Sequence, residues 1–364
     1  MKVTELIKFI EQLYPLAFQE SYDNSGSQVL FPDEEIKGVL LCLDVTEAVL
    51  AEAIKNNCNL IISHHPALFR GIKNISPRNI QGRIIIEAVQ NNISLYAIHT
   101  NFDASIDGTN KILVDLLQLK NTEILEPVQH QLKKIVTFVP VDYVEKVREA
   151  LFKAGAGSIG NYDSCSFNTQ GYGTFKADEN CNPYVGEIGK VHCENETRVE
   201  TIFPAYLQTS IIKALIENHP YEEVAYDIYL LENTYAQVGI GMIGYLHDPM
   251  SKVAFLQYVK RCIGSKVLRF NQTNKEIIQK VAVCSGSGAN YINTAIKNSA
   301  DAFITADLKY HDFTDCPSDM LLIDAGHFET EIHFVQKIFE IITKKNTNFA
   351  VRLSEYCSNP VNYF

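Results

Sequence analysis

Three short apolar runs in the first third of the chain constrain the fold most: Gly38-Val39-Leu40-Leu41-Cys42-Leu43-Asp44, Asn59-Leu60-Ile61-Ile62-Ser63-His64-His65 and Ser94-Leu95-Tyr96-Ala97-Ile98-His99-Thr100. None alternates polar with apolar residues, and each ends in polar side chains. Such runs are strands buried on both faces, the pattern of a parallel sheet. Helical segments separate them. One is capped by Thr46 and runs to Asn57, one covers 80–92, and one opens at Gly108 or Thr109 and runs to about Leu119. This β-α-β-α-β alternation predicts a parallel sheet with helices on its faces. Ahead of it, Val3, Leu6, Ile7, Ile10 and Leu13 share one face of a predicted helix.

The last third returns to the same grammar. Strands are predicted at 280–286, 301–305 and 320–324, helices near 290–298 and at 328–344, and a closing strand at 348–356. Both chain ends, 1–127 and 234–364, therefore build one α/β domain with a parallel-rich sheet. The middle differs. A strand, a proline and an amphipathic helix occur twice, with Pro140 matching Pro204 and Ala150-Leu151 matching Ala214-Leu215 at one common offset. A constant offset marks an internal repeat. With completing strands around 185–191 and at 224–231, the two halves give an inserted ferredoxin-like α+β module, β-α-β-β-α-β, over 128–233. A Gly-rich, poorly periodic stretch, 155–190, lies between the halves.

Composition narrows the function. The net charge of −11 over 364 residues excludes a broad basic face for nucleic acid. The nine cysteines form no Cys-x-x-Cys pair, which predicts reduced thiols in a cytoplasmic protein. The first fifteen residues carry acidic groups and no unbroken apolar run, so they do not read as a signal peptide. No stretch reaches the roughly 20 apolar residues of a membrane span.

The chemistry collects where predicted strands end, the place where parallel sheets gather ligands. His64 and His65 can share a site only if the backbone turns there, and Pro66 predicts that turn. His99 and Asp103 close the next strand, Asp103 as a hard oxygen donor and His99 as a ligand or a partner to one. His327 and Glu331 are four apart at a helix start, on one face. Placed on one sheet edge, His64, His65, Asp103, His327 and Glu331 form a mixed nitrogen and oxygen set. It suits Zn, Mn, Fe or Co, and five ligands suit two divalent ions bridged by a carboxylate or water. Asp103 and Glu331 are both bridging candidates. Ser285-Gly286-Ser287-Gly288-Ala289 is either an anion cradle or a tight turn, and it lacks the Lys of a P-loop. His311 is a candidate proton-transfer group. Lys309 and Arg70 are phosphate contacts or plain surface charge.

Asp23-Asn24-Ser25-Gly26, Leu43-Asp44-Val45-Thr46, Ser63-His64-His65-Pro66, His99-Thr100-Asn101-Phe102-Asp103, Ser285-Gly286-Ser287-Gly288 and Gly326-His327-Phe328-Glu329-Thr330-Glu331 follow one another in this order. Together they resemble the Nif-three-like family, the GTP cyclohydrolase 1 type 2 homologues. The inserted module is similar to the PII-like (CutA-like) domain of longer family members through Gly155-Ala156-Gly157, Gly160-Asn161-Tyr162-Asp163-Ser164-Cys165 and His219-Pro220-Tyr221-Glu222-Glu223-Val224-Ala225-Tyr226. The resemblance implies a dinuclear metal centre on the five ligands named above and a ring-shaped homohexamer. The family name suggests a hydrolase acting on a nucleotide such as GTP, and phosphoester hydrolysis fits the same dinuclear site. A metal-binding regulator or carrier without turnover is the alternative. Ala306, where the family pattern has Gly, departs from it without removing a ligand.

Overall fold

The computed structural model describes residues 1–72, 74–345, 348–357 and 359–364. By contacts the chain divides into two compact units, Met1–Pro127 with Ala236–Phe364, and Val128–Tyr235.

In the first unit, α1 (Val3–Leu13) precedes β1 (Gly26–Val29), β2 (Gly38–Cys42), α2 (Glu47–Lys55), β3 (Leu60–Ser63), α3 (Ile80–Gln90), β4 (Ser94–Ala97), α4 (Thr100–Asp103), α5 (Thr109–Leu116) and β5 (Lys120–Pro127). The Thr46 side chain accepts from Val49 N and caps α2, as its position predicts. Asn79 does the same for α3 through Gly82 N. Strands β2, β3 and β4 pair in parallel, with Val39 opposite Leu60 and Leu60 opposite Ser94, and β1 adds to β4 antiparallel.

Strand β2 shows why its run is unbroken. Val39 and Leu41 face α1 residues Val3, Leu6, Ile7 and Ile10, while Leu40 and Cys42 face Val49, Leu50 and Ala53 of α2. Each fully buried aliphatic side chain contributes about 1.5–3 kcal/mol by leaving water. Leu13 shares that face by sequence but is 45% exposed, and Tyr14, one residue on, takes the buried place in the core with Val3, Leu6, Ile7 and Ile10.

The second unit holds β6 (Leu132–Pro140), α6 (Val144–Lys153), β7 (Phe167–Lys176), β8 (Val191–Pro204), α7 (Gln208–Asn218) and β9 (Tyr226–Leu230). The sheet order β7-β8-β6-β9, all antiparallel, is that of a ferredoxin-like fold. The repeat is visible in three dimensions. Val147 and Leu151 of α6 and Ile211 and Leu215 of α7 are all buried in one core with Ile135, Val139, Val199 and Phe203. The completing strand of the first half is not at 185–191. It is β7 at 167–176, and residues 177–190 connect it to β8. β7 is an edge strand exposed along most of its length, so nothing imposes an alternating pattern on it.

The chain re-enters the first unit with β10 (Gly239–Ser251), α8 (Lys252–Ile263), β11 (Arg269–Phe270), β12 (Ile277–Ser287), α9 (Ile292–Lys297), β13 (Ala302–Ala306), α10 (Tyr310–Asp315), β14 (Leu321–Asp324), α11 (His327–Glu331), α12 (His333–Lys344) and β15 (Ala350–Leu353). These strands do not all join the first sheet. β15 does, parallel to β2, giving the order β1-β4-β3-β2-β15. The others form a second sheet, β11-β14-β13-β12-β10-β5, with β12, β13 and β14 parallel. The single sheet edge expected from the sequence is therefore two edges. β10 causes the division by pairing antiparallel with both β5 and β12, which ties the segments flanking the second unit into a sheet of their own. Among the described residues, no helix is long and apolar enough to cross a membrane.

Candidate metal centre

The carboxyl ends of β3 and β4 carry His64, His65, His99 and Asp103, and the end of β14 carries His327 and Glu331. β3 ends at Ser63, and the backbone bends at His64 and His65. His64 N donates to Cys42 O at 3.2 Å and His65 N to Leu43 O at 2.9 Å. The bend swings both rings to one side, with centroids 5.0 Å apart. His64 is fully buried and packs against Phe334 of α12 at 4.9 Å.

Four imidazoles share one device. Each uses Nδ1 for an orienting contact: His64 with Ile98 O at 2.9 Å, His65 with Asp44 at 2.8 Å, His99 with Asp23 at 2.7 Å and His327 with Asp307 at 2.7 Å. A hydrogen bond at Nδ1 places its proton there and leaves Nε2 as a lone-pair donor, the usual arrangement behind a metal-ligating histidine. The Nε2 side is where the rings converge. Glu331 Oε2 is 3.0 Å from Nε2 of both His65 and His327, and Glu331 Oε1 is 3.8 Å from Nε2 of His64. Asp103 Oδ1 is 3.6 Å from the same His64 nitrogen.

This convergence has no internal solution. His64 Nε2 and Glu331 Oε2 are buried without a hydrogen bond of acceptable geometry. His65 and His327 face each other with Nε2 atoms 3.4 Å apart. Among the described residues, two overlapping donor groups result, His64-His65-His99 and His65-His327-Glu331, each with its ligand atoms within 4.8 Å of one another. Buried lone pairs directed at a common point fit a cation.

The charges tell the same story. Burial opposes protonation of His65, but the nearby carboxylates of Asp44 and Glu331 overcome it and push the ring up to about 10. His327 is likewise disfavoured by burial and raised by Asp307 and Glu331, to about 11. Burial would raise Glu331, yet His327, His64 and His65 hold its carboxyl well below the usual range. Asp103 is raised by burial and by the neighbouring Glu331 charge, against the pull of His64. Protons thus occupy positions that a divalent ion would take.

The Ser285-Gly286-Ser287-Gly288 segment does not offer a free anion cradle. Ser285 N donates to Asn110 Oδ1 at 2.9 Å, Gly286 N to Thr330 Oγ1 at 3.0 Å and Gly288 N to Thr305 Oγ1 at 2.9 Å. Its role is steric. At Gly286, φ is +59° and an added Cβ would lie 2.1 Å from Glu331 Oε1. His311 is exposed on α10, its ring 5.4 Å from that of Tyr310, and it does not line the cavity beside the cluster. Asp23, Asp44 and Asp307 are the residues whose site roles the sequence did not reveal. Asp23 and Asp44 stand inside motifs noted there, but their pairing with particular rings depends on the fold. Ala306 is buried at the end of β13, and Asp307 after it takes a left-handed φ of +57° that presents its carboxylate to His327.

A cavity of about 380 Å³ opens beside the cluster, walled by Asp44, His65, Arg269, His327, Asn359 and Tyr363. Arg269 donates there to Asp324 and, at 2.9 Å, to Leu308 O.

Fold and site together define a two-sheet α/β protein with a buried imidazole–carboxylate cluster that could hold a metal. The Duf34/NIF3 (NGG1p interacting factor 3) family model matches residues 1–360, and the chain belongs to that family. It is 37% identical over 364 residues to a Bacillus subtilis (strain 168) protein named GTP cyclohydrolase 1 type 2 homolog, covering 99% of this chain and 98% of that one. Among solved structures it is similar to the Bacillus cereus protein related to NIF3, with TM-score 0.87, 37% identity and coverage of 100% and 99% of the two chains. The Staphylococcus aureus protein SA1388 matches with TM-score 0.78, 28% identity and the same coverage.

Proposed function

We propose that the protein is a metal-dependent hydrolase with a dinuclear centre held by His64, His65, Asp103, His327 and Glu331, acting on a nucleotide or phosphoester. One observation carries this reading: His64 Nε2 and Glu331 Oε2 are buried without hydrogen-bond partners at the point where the imidazoles converge, beside an open cavity. Glu331 is the better bridging candidate, because its two oxygens face different imidazoles, Oε1 towards His64 and Oε2 towards His65 and His327. Among the described residues, Asp103 pairs with the His64 ring alone in this range.

The chain's residues would divide the work. Asp44 and Asp307 hold His65 and His327 with Nε2 turned inward. Asp23 holds His99 at the edge of the cluster, where the ring can accept or return a proton. Arg269 stands on the cavity wall, held there by Asp324 and Leu308 O. Bound divalent ions would supply Lewis acidity and a water of lowered pKa. The family name of the relatives supports a guanine nucleotide as the first substrate to try, with ring-opening hydrolysis. The chain is also expected to self-associate as a homohexamer in the cytoplasm.

The test is turnover by the metal-loaded protein against nucleotides and phosphoesters with Mn²⁺, Zn²⁺ or Fe²⁺, and Glu331→Ala beside it. Turnover that vanishes in the variant supports the hydrolase. Absence of turnover at full metal occupancy would replace it with a metal-binding regulator or carrier.

A further inference from the structure

The second unit contains a cavity of its own, about 640 Å³ in volume, between the β7–β8 connection and the segment after α7. The proposed metal-centre reaction does not use it. Its wall is aromatic: Phe138, Phe175, Tyr184 and Tyr221 all contribute. Tyr221 lies at the middle of this wall, its ring 6.1 Å from Phe175 and 6.2 Å from Tyr184.

One carboxylate sits among these rings. Glu196 is only 9% exposed, and it accepts the Tyr221 hydroxyl at 2.8 Å. Burial and the Glu196 charge both push the Tyr221 hydroxyl above its usual range, so it remains a donor to the carboxylate. Glu222 and Glu223 also line the cavity. The cations at its wall are Lys176 and Arg198, and Arg198 is paired with Glu200 at 2.9 Å.

These features select a ligand by charge and size. Aromatic faces carry negative potential and attract cations, more strongly when desolvated. A buried carboxylate adds a full negative charge at the same place, and the excess of carboxylates over cations disfavours phosphates and carboxylic acids. A bare divalent ion would need several converging oxygens, whereas the buried carboxylate here, Glu196, already accepts from Tyr221, and Glu222 and Glu223 are exposed. The volume suits an organic molecule. We propose that this cavity binds a small organic ammonium ion, with its charge against Glu196 and its alkyl groups against Phe175, Tyr184 and Tyr221.

Choline and its uncharged isostere 3,3-dimethylbutan-1-ol separate charge from shape. Each is titrated calorimetrically into the full-length protein. The expected result is saturable choline binding and at least about ten-fold weaker binding of the isostere. Glu196→Gln is expected to weaken choline by about ten-fold or more while the circular dichroism spectrum stays unchanged. Tyr184→Ala, at a ring that is 50% exposed and tolerant of truncation, is expected to weaken choline as well. It carries the test if Glu196→Gln fails to fold. Absence of saturable choline binding, equal binding of the two compounds, or wild-type choline affinity in the folded variants would overturn the proposal.

Discussion

Substituting Gly286 with Ala tests the centre through a residue that ligates nothing. Two costs follow from the structure. The backbone at φ +59° must hold an L side chain in the left-handed region, about 1–2 kcal/mol. The new Cβ would also lie 2.1 Å from Glu331 Oε1, below the 3.0 Å that real Cβ contacts respect, so the carboxylate must retreat by about 1 Å. Glu331 is 3% exposed and has little room to do so. Loss of its placement should lower metal affinity by roughly 10–100-fold, the range for disturbing groups that orient ligands. Gly264→Ala is the matched control. It ends α8 at φ +78° with nothing within 4 Å of an added Cβ, so it carries the backbone cost alone. The assay is metal titration of the two demetallated variants beside the wild type. Equal metal affinity in both variants would refute the argument that Gly286 exists to admit Glu331.

Asp307→Asn should weaken metal binding by about 10–100-fold without unfolding, because His327 loses the carboxylate that fixes its ring; unchanged affinity in a competition assay with a chelator would count against that role. In the metal-free protein, His65 and His327 are raised to about 10 and 11. Their contribution to stability is therefore complete below the unfolded value of about 6.5 and lost as pH rises through the folded values. Metal must displace these protons, so between pH 7 and 9 affinity should rise by about ten-fold per pH unit for each proton released, and calorimetry in buffers of different ionisation enthalpy counts them. Sedimentation velocity should show a species of six chains of 41.0 kDa each, and a monomer at micromolar concentration would remove the hexamer.

The parts of the fold legible in the sequence were those that local burial writes into it. Val39-Leu40-Leu41-Cys42 is continuous because both faces of β2 are covered, and Leu151 and Leu215 repeat because two helices pack one sheet. β7 left no such trace, being exposed along an edge. The division into two sheets was also hidden. It depends on β10 choosing β5 and β12 as neighbours, a pairing across more than a hundred residues of chain on one side. At the site, the turn forced by Pro66 and the four-residue spacing of His327 and Glu331 are local signals, and the structure brings these side chains together. The orienting aspartates are not local. Asp23 reaches His99 and Asp44 reaches His65 only once strands and loops are assembled, so no spacing rule could pair them.

The central claim is that these side chains hold divalent metal. Its most direct test is elemental analysis of the purified protein together with His64→Ala, Asp103→Ala and Glu331→Ala, each checked for folding by circular dichroism. The account predicts about two ions per wild-type chain, as expected for a carboxylate-bridged pair, and a marked loss in each folded variant. Wild-type protein that takes up no divalent ion, or folded variants that all retain the wild-type content, would contradict it.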